Sequence, residues 1–407
     1  MARLVLIVFL PFAGGYFLSY LFRSTNAVIA PQLVSEIGLS AGDLGLLTSV
    51  YFLAFASFQL PLGMLLDRFG PRRVQSVLLL SSAIGSAGFA MGDSFLGLLI
   101  SRALIGLGVA GGLMSAFKAI TLWFPKERWP LINGCFLATG GVGAIFATTP
   151  LEWGVSVSGW REVFWLLALL TLFAAATIRI VVPDKEIEGT PQNFHSQFAA
   201  LAVIFKDRLF WKLVPLTVVT STANMAIQGL WAGPWLRDVA EFDRVGVADY
   251  LLVIAVVMTI GSIVTGVVAD WLEKRGVSLL MIFACMTLFF MLALLSIVLE
   301  LAPMSVLPWI GFALFANCAM LVYAVLNRHF PLAYAGRVST ATNTIAFFGA
   351  FAGQYLLGAV IDLWPLAPDG GYLNEAYQWA FGGLLALQFL SWVWLLIAPT
   401  SPAKEAR

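Results

Sequence analysis

The sequence predicts an all-α polytopic membrane protein, with twelve transmembrane helices in two pseudo-symmetric six-helix bundles. Three observations carry this. Of 407 residues, 60% are hydrophobic and only 11% charged, whereas soluble domains run at about 45–50% apolar and about 25% charged. Apolar stretches near the length of about 20 residues that a bilayer core demands of a helix recur along the chain. Finally, the charged turn Gly63-Met-Leu-Leu-Asp67-Arg68-Phe-Gly70-Pro-Arg72-Arg73 returns as Gly266-Val-Val-Ala-Asp270-Trp-Leu-Glu273-Lys274-Arg275-Gly276. Gly63 to Gly266 and Asp67 to Asp270 share one offset, roughly half the chain, as expected of two similar halves.

Hydropathy, with breaks at proline, glycine and charge clusters, places spans at roughly 8–34, 42–66, 74–92, 95–123, 130–150 and 161–182 in the first half. In the second half they fall at roughly 212–236, 247–270, 278–299, 305–327, 337–361 and 376–398. The apolar N-terminus superficially suggests a signal peptide, but the run continues past Arg23 and reads as a retained first span. Residues 1–182 and 212–407 form the two expected bundles. Between them, 183–211 holds Asp184, Lys185, Glu186, Glu188 and His195, then the amphipathic stretch Phe198–Phe205. This is a linker with a short surface helix.

Charge orients the chain. The face carrying both charged turns collects nearly all the lysines and arginines. The opposite face has Arg161, Arg237 and Arg244, and Arg23 and Arg102 lie within spans. The basic face is then cytoplasmic, with both termini and the linker, in the inner (cytoplasmic) membrane. Net charge is +1, with no basic tail of the kind a nucleic-acid binder shows. Cys135, Cys285 and Cys318 fit neither a disulfide framework nor a metal site and read as small apolar residues. No cofactor or metal is expected, and nothing suggests a nucleophile–base pair or an appended soluble domain, so the chain does not read as an enzyme. A monomer is expected, with the bilayer and a small molecule as its partners.

The two six-span halves, the linker and the charged turns resemble the major facilitator superfamily along the whole chain. The first turn matches that family's G-x-x-x-D-R-x-G-x-R-R signature. Arg102-Ala-Leu-Ile-Gly106-Leu-Gly108 matches its fourth-span R-x-x-x-G-x-G pattern, and Gly159-Trp160-Arg161 is another recurring feature. The resemblance implies alternating access between the halves. It makes Gly63, Asp67, Arg68, Arg72 and Arg73, with Asp270 in the weaker second turn, candidates for a cytoplasmic gate. A carboxylate at a helix C-terminus is disfavoured by the helix dipole unless cations compensate, and the turn's arginines are in reach to do so. The alternative for the turn is a purely topogenic basic loop. Arg102 is associated in the family with proton coupling or with structural bonding, and both remain open. Lys118 either steers anions or snorkels to the interface, with snorkelling favoured.

An ionisable residue at membrane depth normally faces a cavity or a partner. Tyr16, Tyr20 and Arg23 share one face of span one, with Asn26 beside them. Two aromatic rings leading to a guanidinium suit an anion seat; the alternative is an arginine snorkelling to the outer interface, a long reach from near mid-span. Span seven offers Thr217, Ser221, Asn224, Gln228, Trp231 and Trp235 on one face at steps of three and four. Ser221 reads as interhelical glue, the next three as the wall of a wet cavity. Tyr51, Phe55 and Gln59 in span two, Asn343, Phe347, Phe351 and Gln354 in span eleven, and Asn317 and Tyr323 in span ten either line that cavity or pack.

The run from Tyr20 to Gly45 resembles organophosphate:phosphate antiporters, and Gln59-Leu-Pro61-Leu-Gly63 resembles anion:cation symporters. In both groups the arginine at the place of Arg23 engages the substrate's anionic group. The chain departs from them at several positions. Asn224 and Gln228 stand where the antiporters have a second arginine, and Leu137 and Ala138 where they have a histidine. Phe22 and Val109 replace the symporters' carboxylates. With no carboxylate in mid-span, exchange or facilitated movement stands beside symport. The expected activity is secondary active transport of a small organic or inorganic anion, as symporter or exchanger. The alternative is export of a larger amphipathic compound such as a drug or siderophore. Span five, Gly143-Ala-Ile-Phe-Ala147-Thr148, lacks the Gly-Pro pair of drug:proton antiporters, which counts against it.

Overall fold

The structure, a computed structural model, describes residues 2–185, 201–331, 334–368 and 370–399. Within these it is helical apart from turns and one isolated bridge, Leu366 to Tyr372. Most of the expected linker, including His195, lies outside the described residues, as do the C-terminal Lys404 and Arg407. Residues 201–205 are helical.

Ten helices are long and apolar enough to span a membrane, and the pair Leu131–Phe146 and Thr149–Ser158, bent by 44°, supplies an eleventh span. The twelfth comes from the helix Ala41–Ala90, which breaks at Gly70. Its arms are spans two and three, and both line span four (Phe95–Trp123) in opposite directions. Tyr51, Gln59 and Asp67 meet Gly106, Ala110 and Lys118 in ascending order, whereas Gly85 and Gly92 meet Ser101 and Leu98. The chain reverses between Phe69 and Pro71 because Gly70 adopts φ +77°, and proline then opens the next helix. The turn is therefore tighter than the expected gap of 67–73, and Asp67 still belongs to the last turn of span two.

Other limits also shift. Span one runs Val5–Ile37, carrying Pro31 without a break, as membrane helices allow when neighbours satisfy the freed carbonyl. Span five continues past Pro150 to Ser158, because a proline in the first turn of a helix loses no needed hydrogen bond. Glu152 is thereby drawn into the span and buried. Span seven extends over Arg208–Asp238 and contains a π-helical turn at Ile227–Trp231. Spans eight (Arg244–Glu273), nine (Leu279–Val298), ten (Leu307–His329), eleven (Gly336–Ile361) and twelve (Asn374–Ile397) lie close to expectation.

The bundles meet mainly toward the face opposite the charged turns, where glycines let backbones touch. A Cβ on Gly45 would stand 2.8 Å from the Gln354 carbonyl oxygen, one on Gly358 2.3 Å from that of Ala41, and one on Gly233 2.5 Å from that of Ala27. Polar ties gather at the same end. Glu152 pairs with Arg244 at 3.0 Å, Thr149 donates to Asp249 at 3.1 Å, and Gln228 donates to Ser24 at 3.3 Å. Near the charged turns, by contrast, Gly63, Gly134, Gly266 and Gly336 meet nothing within 4 Å. The bundles are closed at the end opposite the charged turns.

The three arginines of the closed face are all paired: Arg161 with Glu36 and Asp93, Arg237 with Asp238, and Arg244 with Glu152. Arg161 also lies over the Trp160 ring at 4.2 Å. Close packing makes a test. Gly106→Ala, whose methyl would fall 2.3 Å from the Tyr51 carbonyl oxygen, is expected to destabilise the chain by about 1–3 kcal/mol. Gly134→Ala, which meets open space, is expected to leave the unfolding midpoint unchanged or raised, as thermal unfolding in detergent would read.

Candidate functional site

Arg23 sits about midway along span one, at the interface of the two bundles. Its guanidinium carbon lies 4.5 Å from the centroid of the Tyr20 ring and 5.4 Å from that of Phe347, which span eleven brings from the other bundle. Tyr16, Tyr20 and Tyr51 are the titratable side chains that act on it. Among the described residues no carboxylate pairs with Arg23, and its Nε is buried without a hydrogen-bond partner. A guanidinium at membrane depth, met by ring faces and the Tyr51 hydroxyl and by no carboxylate among the described residues, has the capacity to take an anion.

The rest of span one backs this group. Tyr16 stacks on Phe136 with centroids 4.7 Å apart and donates to the Tyr20 hydroxyl at 3.4 Å. Gly140 makes room, because a Cβ there would stand 2.7 Å from the Tyr16 ring and 2.9 Å from that of Tyr20. Asn26 is fully buried and donates to Thr48 at 2.8 Å, tying span one to span two behind the seat.

In span two, Tyr51 donates to the Ser19 carbonyl at 3.1 Å and Gln59 to the Ala110 carbonyl at 3.2 Å. Both are buried and join helices of one bundle. Phe55 stacks on Phe347 at 4.2 Å across the bundles. Asn343 is one turn from Phe347 and accepts from the Tyr323 hydroxyl at 3.5 Å.

The stripe on span seven does not stay one face, because the π turn adds a residue to the helical repeat between Asn224 and Trp231. Asn224 keeps a buried Oδ1 without a partner. One turn on, Gln228 reaches Ser24, beside Arg23. Trp231 is fully buried and donates to the Gln354 carbonyl at 3.4 Å, while Trp235 packs on Trp309 at 5.3 Å. The lower part of the stripe thus reaches the neighbourhood of Arg23 and the upper part plugs the closed end. Periodicity at 3.6 residues per turn could not reveal that change.

Arg102 is fully buried and donates to the carbonyl of Phe22, the residue before Arg23, at 3.1 Å. Its guanidinium lies near the Tyr51 and Phe89 rings, and its Nε and one terminal nitrogen have no partner. Arg102 is thus bonded to the backbone that carries Arg23.

At the charged turn, Asp67 pairs with Lys118 of span four at 2.8 Å. The turn's own arginines point elsewhere. Arg68 lies on Phe69, Arg72 donates to the Arg179 carbonyl at 2.6 Å, and Arg73 donates to Asp184 at 2.9 Å. Lys118, expected to snorkel, compensates Asp67 instead. The Arg73 hydrogen bond, reinforced by the charges of Arg73, Arg72 and Arg179, holds the Asp184 carboxyl below its ordinary range. The tie is therefore intact at neutral pH and is lost only as pH falls through that lowered value. In the second turn, Asp270 pairs with Lys274 and Glu273 with Arg328.

A family model described as Major Facilitator Superfamily matches residues 12–354. The chain belongs to the major facilitator superfamily. Among curated relatives of this superfamily member, it is 26% identical over 273 residues to a probable sulfoacetate transporter of Cupriavidus necator, covering 64% of each chain. It is 27% identical over 276 residues to a probable L-galactonate transporter of Escherichia coli, covering 64% of this chain and 60% of that one. The chain thus spans under two thirds of the length of these relatives. Among solved structures it resembles a bacterial homologue of the human lysosomal transporter Spinster, in an inward-facing and occupied conformation. The TM-score is 0.78 at 19% identity, covering 97% of this chain and 98% of that one.

Sequence reasoning missed three groups at the closed end: the Glu152–Arg244 pair, Asp362 and buried Asp238. Asp238 accepts from the Tyr377 hydroxyl at 2.7 Å. Their signal was present as carboxylates just beyond the expected ends of spans five, seven and eleven. Arg102 generates a prediction, because a buried guanidinium that is incompletely satisfied adds little stability. Arg102→Met should unfold within about 1 kcal/mol of the native chain, whereas Arg102→Ala, which leaves a cavity, should lose about 3 kcal/mol. Denaturant unfolding in detergent reads both.

Proposed function

We propose that the chain is a secondary active transporter that moves a small organic or inorganic anion across the cytoplasmic membrane by alternating access, as a symporter or exchanger. The carrying observation is Arg23: a guanidinium at membrane depth with an unpartnered Nε and no carboxylate, set between Tyr20 of one bundle and Phe347 of the other. A cation so placed is costly to bury unless an anion or water completes it. A ligand held there touches both bundles and can respond to their relative position. Relatives named for sulfoacetate and for L-galactonate, both anions, support the reading.

In this proposal residues 1–182 and 212–407 are the moving bundles, with 183–211 as the linker between them. The charged turns face the cytoplasm, so the described state is open inward. Arg23, Tyr20, Asn224 and Gln228 contact substrate, with Asn343 at the approach. Tyr16, Asn26, Tyr51, Gln59 and Trp231 hold their surroundings, and Arg102 positions Arg23. Asp67 is poised to leave Lys118 and grip the second bundle when the inner side closes, with Gly63 allowing close approach. Arg68, Arg72, Arg73 and Asp270 flank that gate.

Counterflow in proteoliposomes against carboxylates, sulfonates, phosphates and nitrate identifies the cargo. Arg23→Gln is expected to weaken its binding about tenfold or more, given the strength of charge-assisted hydrogen bonds. Transport at native rates by Arg23→Gln would place the seat elsewhere. Asp67→Asn is expected to slow exchange several-fold while equilibrium binding stays within about twofold; equal loss of both would refute the gate.

A further inference from the structure

Spans two and eleven run antiparallel across the bundle interface, with Phe52 and Phe55 against Phe347 and Gly45 against Gln354 and Gly358. At the closed end, Asp362 follows the last residue of span eleven and reaches the first turn of span two. Its carboxylate accepts from the Ser40 hydroxyl at 2.8 Å and from the backbone N–H groups of Ala41 at 2.9 Å and Gly42 at 2.7 Å. Ser40 and Asp43 complete a capping box, with Asp43 N–H donating to the Ser40 hydroxyl at 3.1 Å and Ser40 N–H to the Asp43 carboxylate at 3.2 Å. Two carboxylates and one hydroxyl thus satisfy the N–H groups of residues 40–43, which a free helix end leaves open.

The contact suits both helices. A negative charge is favoured at the N-terminus of span two and disfavoured at the C-terminus of its own helix. Gly42 makes the seat, since a Cβ there would stand 2.6 Å from the Asp362 oxygen.

The other end of the same two helices is a mirror image in the opposite condition. Asp67 lies in the last turn of span two, and span eleven begins with Tyr334 as its N-cap residue, which supplies no side-chain hydrogen bond. There the carboxylate is held within its own bundle by Lys118, and Gly63 and Gly336 meet open space.

We propose that Asp362 is the latch of the closed face: its carboxylate holds the N-terminus of span two while the chain is open inward, and must leave it before the outer side can open. Asp67 and Asp362 then form a double-ended switch, each at the C-terminal end of one helix and able to cap the start of the other. The proposal rests on the alternating-access part of the proposed function and not on the nature of the cargo.

The test is pulsed electron–electron distance measurement in lipid nanodiscs without substrate. Spin labels go on Ser35→Cys and Leu366→Cys, in a chain whose Cys135, Cys285 and Cys318 are replaced by serine. Asp362→Asn is expected to raise the ratio of long to short distances about tenfold, the scale of hydrogen bonds to a charged group. Gly42→Ala, placed in the other bundle and displacing the same carboxylate, is expected to do likewise. It serves as the test if Asp362→Asn fails to fold. Ratios within about twofold of the native chain for the folded variants overturn the latch. A shifted ratio in a chain that transports no anion leaves the latch standing and removes the cargo reading. A single unvarying distance in all variants overturns the latch and alternating access together.

Discussion

An ionised group at membrane depth must find a partner or a wet cavity, and the polar skeleton of this chain follows from that constraint. Arg102 bonds the Phe22 carbonyl, Asp67 takes Lys118, Glu152 takes Arg244, and Asp238 gathers Arg237 and the Tyr377 hydroxyl. Each tie joins elements that must be held in register. Arg23 meets aromatic faces and the Tyr51 hydroxyl and, like Arg102, no carboxylate among the described residues.

The second organising fact is the asymmetry along the interface. At one end glycines bring backbones together, Trp231 fills the gap, and carboxylates cross between bundles. At the other end the corresponding glycines face open space and the carboxylates stay within their own bundle. Strength is distributed accordingly. The crossing ties are few, partly exposed and individually weak, which suits contacts that must break and re-form without unfolding either bundle. The second class is the close backbone packing within each bundle, which lies under apolar side chains. Span four illustrates the second class, with Gly106 and Gly108 seated on spans two and three.

Fold class and family were legible because bilayer thickness imposes a length and glycine, proline and charge mark its ends. The charged turn could be located from sequence but not its width, since glycine at position 70 tolerates a positive φ that reverses the chain within one residue. Arg23 stood out as a candidate for the same reason that it is costly: a lone cation in an apolar run has few other uses. The capping box Ser40–Asp43 could also have been read from its spacing alone.

Tertiary structure decided the partners. Nothing local distinguishes Lys118 snorkelling to lipid from Lys118 held by Asp67, 51 residues away in sequence. The π turn at Ile227–Trp231 rotates the upper half of a stripe that reads as continuous, because one extra residue in a turn leaves no mark in composition. Glu152 and Asp362 became visible only when span five was seen to continue past Pro150 and span eleven to end against span two. The sequence by itself determined which segments cross the membrane and where charge is rare, through local rules of length and solvation. Which charges meet, and which end of the interface is shut, depended on contacts between residues up to 322 positions apart, a separation over which no local rule acts.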